Sequence, residues 1–167
     1  SREITSPIDL IQDAQSPARN HLAHATISLT NQQVADLQNI CETITAPIET
    51  ALASRDWWPL TMHWALAGEV PTRAAAICRP TSTEQVSHVL SYCNEHKIPV
   101  TAAGGRSGVC GASIPLYGGV ILDTTAMQGV VALDDDSLTV EVLPGTFGPD
   151  LEAHIQSLGF TVGHYPQ

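Results

Sequence analysis

Thr101–Pro115 reads TAAGGRSGVCGASIP and follows the apolar run Ile98-Pro99-Val100. Gly104, Gly105, Gly108 and Gly111 fall within eight residues of it. A stretch so poor in side chains lets a ligand reach the backbone, and glycine tolerates the positive φ that turns successive N–H groups to one side. A row of such groups is an anion site, commonly for phosphate. The stretch is therefore read as a loop that holds the diphosphate of a dinucleotide.

The elements before the loop decide what kind of fold carries it. Ala74 to Cys78 is a short apolar run closed by Arg79-Pro80, which predicts a strand. Ser82 or Thr83, with Glu84 close behind, marks a helix start, and Val86, Val89, Leu90 and Cys93 give that helix a buried face ending near His96-Lys97. Ile98 to Ala102 is the next strand, so a strand–helix–strand unit is expected, parallel and right-handed. Further upstream, Ser28 to Ser54 reads as helical. Thr30 is its N-cap, and Val34, Leu37, Ile40, Cys41 and Ile44 form one apolar stripe. Pro47 ends that helix or starts the next, where Ile48, Ala51 and Leu52 continue the stripe. Residues 1 to about 29 are expected to form a partly ordered arm with a short helix around Ile8 to Gln15. All three tryptophans sit in Trp57–Trp64. Their density is read as core or domain packing, with a subunit contact in a homo-oligomer or an adenine-side role as the alternatives.

Beyond the loop, Val120 to Asp123 is a third strand and Met127 to Gly129 a turn. Val130 to Leu133 and Leu138 to Val142 form a hairpin around Asp134-Asp135-Asp136-Ser137. The three aspartates lack the spaced ligands and terminal Glu of a calcium loop, so the turn is read as a solvated tip, with no metal. Asp150 to Ser157 is helical and Gly159 stops it.

Composition bounds the partners. The 167 residues are 43% hydrophobic and 14% charged, enough for a core. A net charge of −10, from 17 acids against 7 Lys and Arg, argues against a nucleic-acid surface. No run approaches the ~18 apolar residues of a membrane span. Cys41, Cys78, Cys93 and Cys110 have neither metal-ligand nor Cys-x-x-Cys spacing and are read as reduced thiols of a cytoplasmic protein.

The dinucleotide fold follows from the loop's details. GGRSGVCGA does not match the G-x-G-x-x-G fingerprint. No helix begins inside the loop, because Pro115, Gly118 and Gly119 break it, and the hairpin departs from a doubly wound sheet. An α+β domain that grips phosphate through loop N–H groups alone is expected. Here the chain resembles the flavoproteins with a vanillyl-alcohol oxidase type FAD-binding domain, from about Ala74 to Gln167. RPTSTEQV is similar to that family's proline-led strand exit. PVTAAGGRSGVCGASIP is similar to its diphosphate loop. GGVILDTTAMQGVVALD resembles the strand, turn and strand that follow, and VEVLPGTFGPDLEAHIQSLGFTVGHYPQ the next strand, Pro-Gly turn, helix and approach to the flavin. Four motifs in the family's order carry the resemblance. Within it, the D-lactate and glycolate dehydrogenase and alkylglycerone-phosphate synthase branches are the nearest, and Gly163-His164-Tyr165-Pro166 leans towards the synthases.

The resemblance implies the first half of such a domain at 69–167, a mixed sheet around the βαβ unit, preceded by a helical extension at 1–68. It implies non-covalent FAD, held by Ala102, Ala103, Gly104, Gly105, Arg106, Ser107, Gly108, Val109 and Cys110, with N–H groups of the glycines and Ser107 as donors. Arg106, where the family commonly has glycine, neutralises the diphosphate, points to solvent or pairs with an acid elsewhere. Cys110 is a packed or weakly hydrogen-bonding thiol, a flavin–thiol bond being the remote alternative. The parent protein would be an FAD-linked oxidase or dehydrogenase of a small 2-hydroxy acid or similar alcohol. The alternatives are a synthase-like flavoenzyme and a non-catalytic module that keeps the fold.

No histidine takes a catalytic role from the sequence. His88, His96 and His154 fall on helix surfaces, and His164, near the expected flavin edge, is read as structural. The rest of the flavin site, beginning with a Ser-Thr-Val-Gly-Gly-like stretch, and the substrate cap are expected past Gln167. The 167-residue chain by itself is therefore expected to hold FAD weakly or not at all. The visible absorbance of the purified chain checks this, and a stoichiometric flavin band contradicts it.

Overall fold

The computed structural model describes residues Ile27–Gly163. The arm and helix expected before Ile27 lie outside these residues, as does His164. The first described helix, α1, spans Asn31–Gln38. Thr30 caps it: its hydroxyl accepts from the Gln33 N–H at 3.2 Å while the Gln33 side chain accepts from the Thr30 N–H at 2.9 Å. This reciprocal pair satisfies two donors that a helix start otherwise leaves open.

The stripe that predicted helix through Ile44 instead breaks. Glu42–Ile44 is a strand, β1, antiparallel to β2 (Ala76–Arg79), with Ile44 opposite Ile77. Two β-branched residues, Thr43 and Ile44, favour the pleated surface, and pairing at the sheet edge outweighs local helical spacing. Pro47 starts a helix rather than ending one: α2 is Pro47–Ala53 and α3 is Pro59–Leu66, each with proline in its first turn. There the missing N–H removes no intrahelical bond.

Helix α4, Thr83–Glu95, is capped by Ser82, whose hydroxyl accepts from the Gln85 N–H at 3.3 Å. Strands β3 (Val100–Ala103) and β4 (Val120–Asp123) follow. The sheet order is β1-β2-β4-β3, with β2 and β3 each parallel to β4. The expected βαβ unit is thus parallel, and β4 lies between its two strands. A separate hairpin joins β5 (Val130–Asp134) to β6 (Thr139–Val142). Asp134 closes its tip by accepting from the N–H groups of Asp136 and Ser137 at 3.0 and 3.1 Å, so the acidic run is a turn device. Helix α5 is Gly148–Gln156.

Alternation along the central strands builds two cores. Ala76, Cys78, Val120 and Leu122 point to the face covered by Leu37, Val89 and Cys93. Ile77, Ile121 and Ala103 point to the other, with Ala53 and Ala74. β4 is buried along its whole length, as a strand flanked and covered on both faces must be. Cys41, Cys78 and Cys93 are buried free thiols. Burial pushes Cys78 up to about 12 and Cys93 to about 11, so both stay protonated and inert. Cys110, expected to be packed or weakly hydrogen-bonding, is exposed.

Leu37 is fully buried and joins α1 to the sheet. Leu37→Ala is expected to cost about 2–5 kcal/mol, the range for a large buried side chain truncated in a packed core. Urea unfolding of the chain checks it.

Candidate functional site

The parallel strands β2, β4 and β3 end on the same side of the sheet in Arg79, Asp123 and Ala103. That edge is where open α/β sheets place ligands. Asp123 is 1% exposed. Its Oδ1 accepts from the Thr125 N–H at 2.9 Å and the Thr125 hydroxyl at 2.6 Å. Its Oδ2 lies 3.3 Å from Arg106 Nη1 and 3.5 Å from Arg79 Nη2. Burial alone would raise the Asp123 carboxyl, but the Thr125 donors and then the Arg106 and Arg79 guanidinium groups outweigh it and hold the carboxyl below the usual range. Arg79 also pairs with Glu42 at 3.2 Å.

The glycine stretch leaves β3 at Gly104 and runs to β4 with no helix in it. Ala102 and Ala103 are the last residues of β3, and Ala103 faces the core rather than the loop. Gly104 to Cys110 form the loop proper, so seven of the nine expected residues stand together. Among its four glycines only Gly111 has a positive φ, +78°. The other left-handed position is Arg106, at +55°. A non-glycine residue there costs about 1–2 kcal/mol. The ion pair with Asp123, an acid outside the loop, accompanies it.

Two walls fix the loop. On one side, Trp57 donates its N–H to the Gly108 carbonyl at 3.0 Å, and Trp58 packs so closely that a Cβ on Gly111 would meet its ring at 2.8 Å. On the other, a Cβ on Gly105 would meet the Phe147 ring at 2.9 Å, and Gly104 faces the Pro144 carbonyl. The Trp57–Trp64 cluster is thus a backing wall as well as packing. Trp58 and Trp64 meet edge to face at 5.7 Å, while Trp57 is 61% exposed. A cavity of about 250 Å³ opens between the wall and the loop, lined by Arg55, Asp56, Trp57, Met62, Gly105 and Arg106.

None of the backbone N–H groups of residues 105–110 donates to an acceptor among the described residues. Consecutive free donors on a fixed loop can receive a polyanion, and the loop brings no carboxylate of its own to repel one. These donors fit a diphosphate. The sequence reading passed over three buried carboxylates: Asp56, Asp123 and Glu152. Asp123 had a signal, an acid closing an otherwise apolar strand. Glu152 binds the Thr161 hydroxyl and, at 3.0 Å, the Val162 N–H, which sets the course of the chain after α5. His63, His88, His96 and His154 are exposed, and none adjoins the loop's donors.

Fold and site together define an α+β domain whose glycine loop lies at the ligand edge of the sheet. The FAD binding domain family model matches residues 74–167. The chain belongs to that family, and the cofactor the loop implies, FAD, is the one the family binds. Over 84 residues, half of this chain, it is 31% identical to glycolate oxidase subunit GlcD of Bacillus subtilis. Over 87 residues, 52% of the chain, it is 34% identical to D-lactate dehydrogenase of Anaerostipes hadrus. In each case the match spans 18% of the relative's length. Among solved structures, an alkyldihydroxyacetonephosphate synthase aligns over 87% of this chain and 28% of its own, with a TM-score of 0.75 and 19% identity. That likeness shows the fold, the vanillyl-alcohol oxidase type expected. No helix among the described residues is long and apolar enough to cross a membrane.

Asp123 carries a pH signature. Its depressed folded value means its contribution is complete above about pH 4, the ordinary aspartate value, and is lost as pH falls through the lower folded value. Asp123→Asn is expected to cost about 3 kcal/mol at neutral pH, because two guanidinium groups lose their buried partner, and to flatten the acid limb of stability against pH. Denaturant unfolding from neutral pH down into acid checks both.

Proposed function

We propose that this chain is the diphosphate-gripping part of an FAD-linked oxidoreductase whose whole chain oxidises a small 2-hydroxy acid or similar alcohol. The observation that carries the reading is the run of N–H groups at 105–110 that are free among the described residues, at the ligand edge of the sheet. In this reading Gly104, Gly105, Ser107 and Gly108 face the diphosphate and the Ser107 hydroxyl adds a donor. Ala102, Ala103, Val109 and Cys110 shape the loop around them. Arg106 holds the loop through Asp123, and its charge is already shared with that carboxylate. The 69–167 segment forms the flavin half-site and 1–68 an extension that backs the loop.

Bound FAD supplies the two-electron acceptor for turning a hydroxyl-bearing carbon into a carbonyl. Residues of this chain bind and orient the cofactor's middle, away from the reacting carbon. FAD is held without a covalent bond, and the substrate is a small molecule. Identity of 31–34% to a glycolate oxidase subunit and a D-lactate dehydrogenase supports the hydroxy-acid class. The synthase likeness stands at 19% identity and supports no substrate. Buried free thiols suit the reducing cytoplasm.

Gly105→Val places a branched side chain at the mouth of the loop, against Phe147. In the full-length protein it is expected to weaken FAD binding by roughly tenfold or more, the loss of at least one charge-assisted hydrogen bond, and the unfolding midpoint without FAD separates this from the cost of displacing Phe147. Flavin fluorescence titration checks it. Unchanged affinity contradicts the assignment of the loop, and flavin that stays with the denatured chain contradicts non-covalent binding.

A further inference from the structure

Of the buried carboxylates among the described residues, only Asp56 has an oxygen without a partner. The residue is 6% exposed. Its Oδ1 accepts from the Trp58 N–H at 3.0 Å and its backbone carbonyl accepts from the Thr61 hydroxyl at 3.1 Å. Its Oδ2 accepts nothing. A buried acceptor left open calls for an explanation in a native fold.

The position of Oδ2 supplies one. It faces the glycine loop, where a Cβ on Gly108 would sit 3.9 Å away. The Gly108 carbonyl is already fixed by the Trp57 N–H. The peptide N–H groups of Gly108 and Val109, on either side of that anchor, are free among the described residues. Arg55 and Arg106 line the adjoining cavity. Arg106 is turned to Asp123, and neither pairs with Asp56. An open acceptor thus lies beside a stretch of loop whose N–H groups are open among the described residues, next to one fixed carbonyl.

We infer that Asp56 is a positioning residue for the loop: when the loop closes on a diphosphate, the Val109 N–H turns onto Asp56 Oδ2, and the carboxylate holds the loop shut. This rests on the reading of the loop as a diphosphate site. The backbone stands between the carboxylate and the anion, and the two arginines beside the cavity offset the repulsion between them. Asp56 then acts on the cofactor only through the loop. It gives the α2–α3 link a part in binding that the glycine motif by itself does not contain.

Hydrogen exchange on the flavin-free, full-length protein, with and without ADP as a diphosphate without flavin, tests it. In wild type, ADP is expected to protect the amides at 105–110. Asp56→Asn puts a donor where the acceptor stood. It is expected to keep the ADP-free unfolding midpoint near wild type, lose the ADP-dependent protection at 109 and weaken ADP binding roughly tenfold. Asp56→Glu, which keeps a carboxylate on a longer stem, restores part of the protection. Protection in Asp56→Asn equal to wild type overturns the inference and leaves the loop reading standing. So does a stability loss that is the same with and without ADP, or an Asp56→Glu protein no better than Asp56→Asn. Wild type without any ADP-dependent protection overturns both.

Discussion

Asp123 is the point on which the rest of the site depends. A carboxylate buried at the end of a central strand is tolerated only if its lone pairs are filled. Here they are filled from three directions: Thr125 beside it, Arg79 from the end of β2 and Arg106 from the loop. One charge thus ties two strand ends to the glycine loop. It also accounts for the left-handed backbone of Arg106, where a side chain costs conformational energy that glycine would not. The ion pair takes the place of the permissive residue, and the loop is held by charge where a glycine would leave it free.

The second constraint is steric. Between Phe147 and Trp58 the loop has no room for a Cβ at Gly105 or Gly111. Its N–H groups at 105–110 donate to no acceptor among the described residues. Preorganised donors of this kind bind an anion without first losing loop entropy. A net charge of −10 does not by itself exclude a polyanion ligand, because backbone dipoles supply local positive potential.

Much of this was legible in the sequence because it was local. Thr30 with Gln33, and Ser82 before α4, announce helix starts through side chain and backbone a few residues apart. The glycine spacing, the missing fingerprint and the proline-broken stretch after the loop pointed away from a doubly wound fold, and the mixed sheet agrees. What was not legible was set by partners distant in the chain. Glu42–Ile44 has helical spacing to its neighbours and becomes a strand because β2, more than thirty residues on, offers an edge. Arg106 could not be assigned until Asp123 was placed beside it. Asp56 was hidden in a cluster whose aromatic content drew attention away from its acid. Cys110 was expected to pack or to hydrogen-bond weakly, and nothing in its own neighbourhood showed that the loop carries it outward.

Backbone N–H groups of residues 105–110 are proposed to hold the diphosphate of FAD. A crystal structure of the full-length protein with FAD tests it most directly. The account predicts diphosphate oxygens within about 2.7–3.2 Å of at least two of those nitrogens, with Arg106 still on Asp123. A diphosphate seated elsewhere, or one gripped by an Arg106 that has left Asp123, would contradict it.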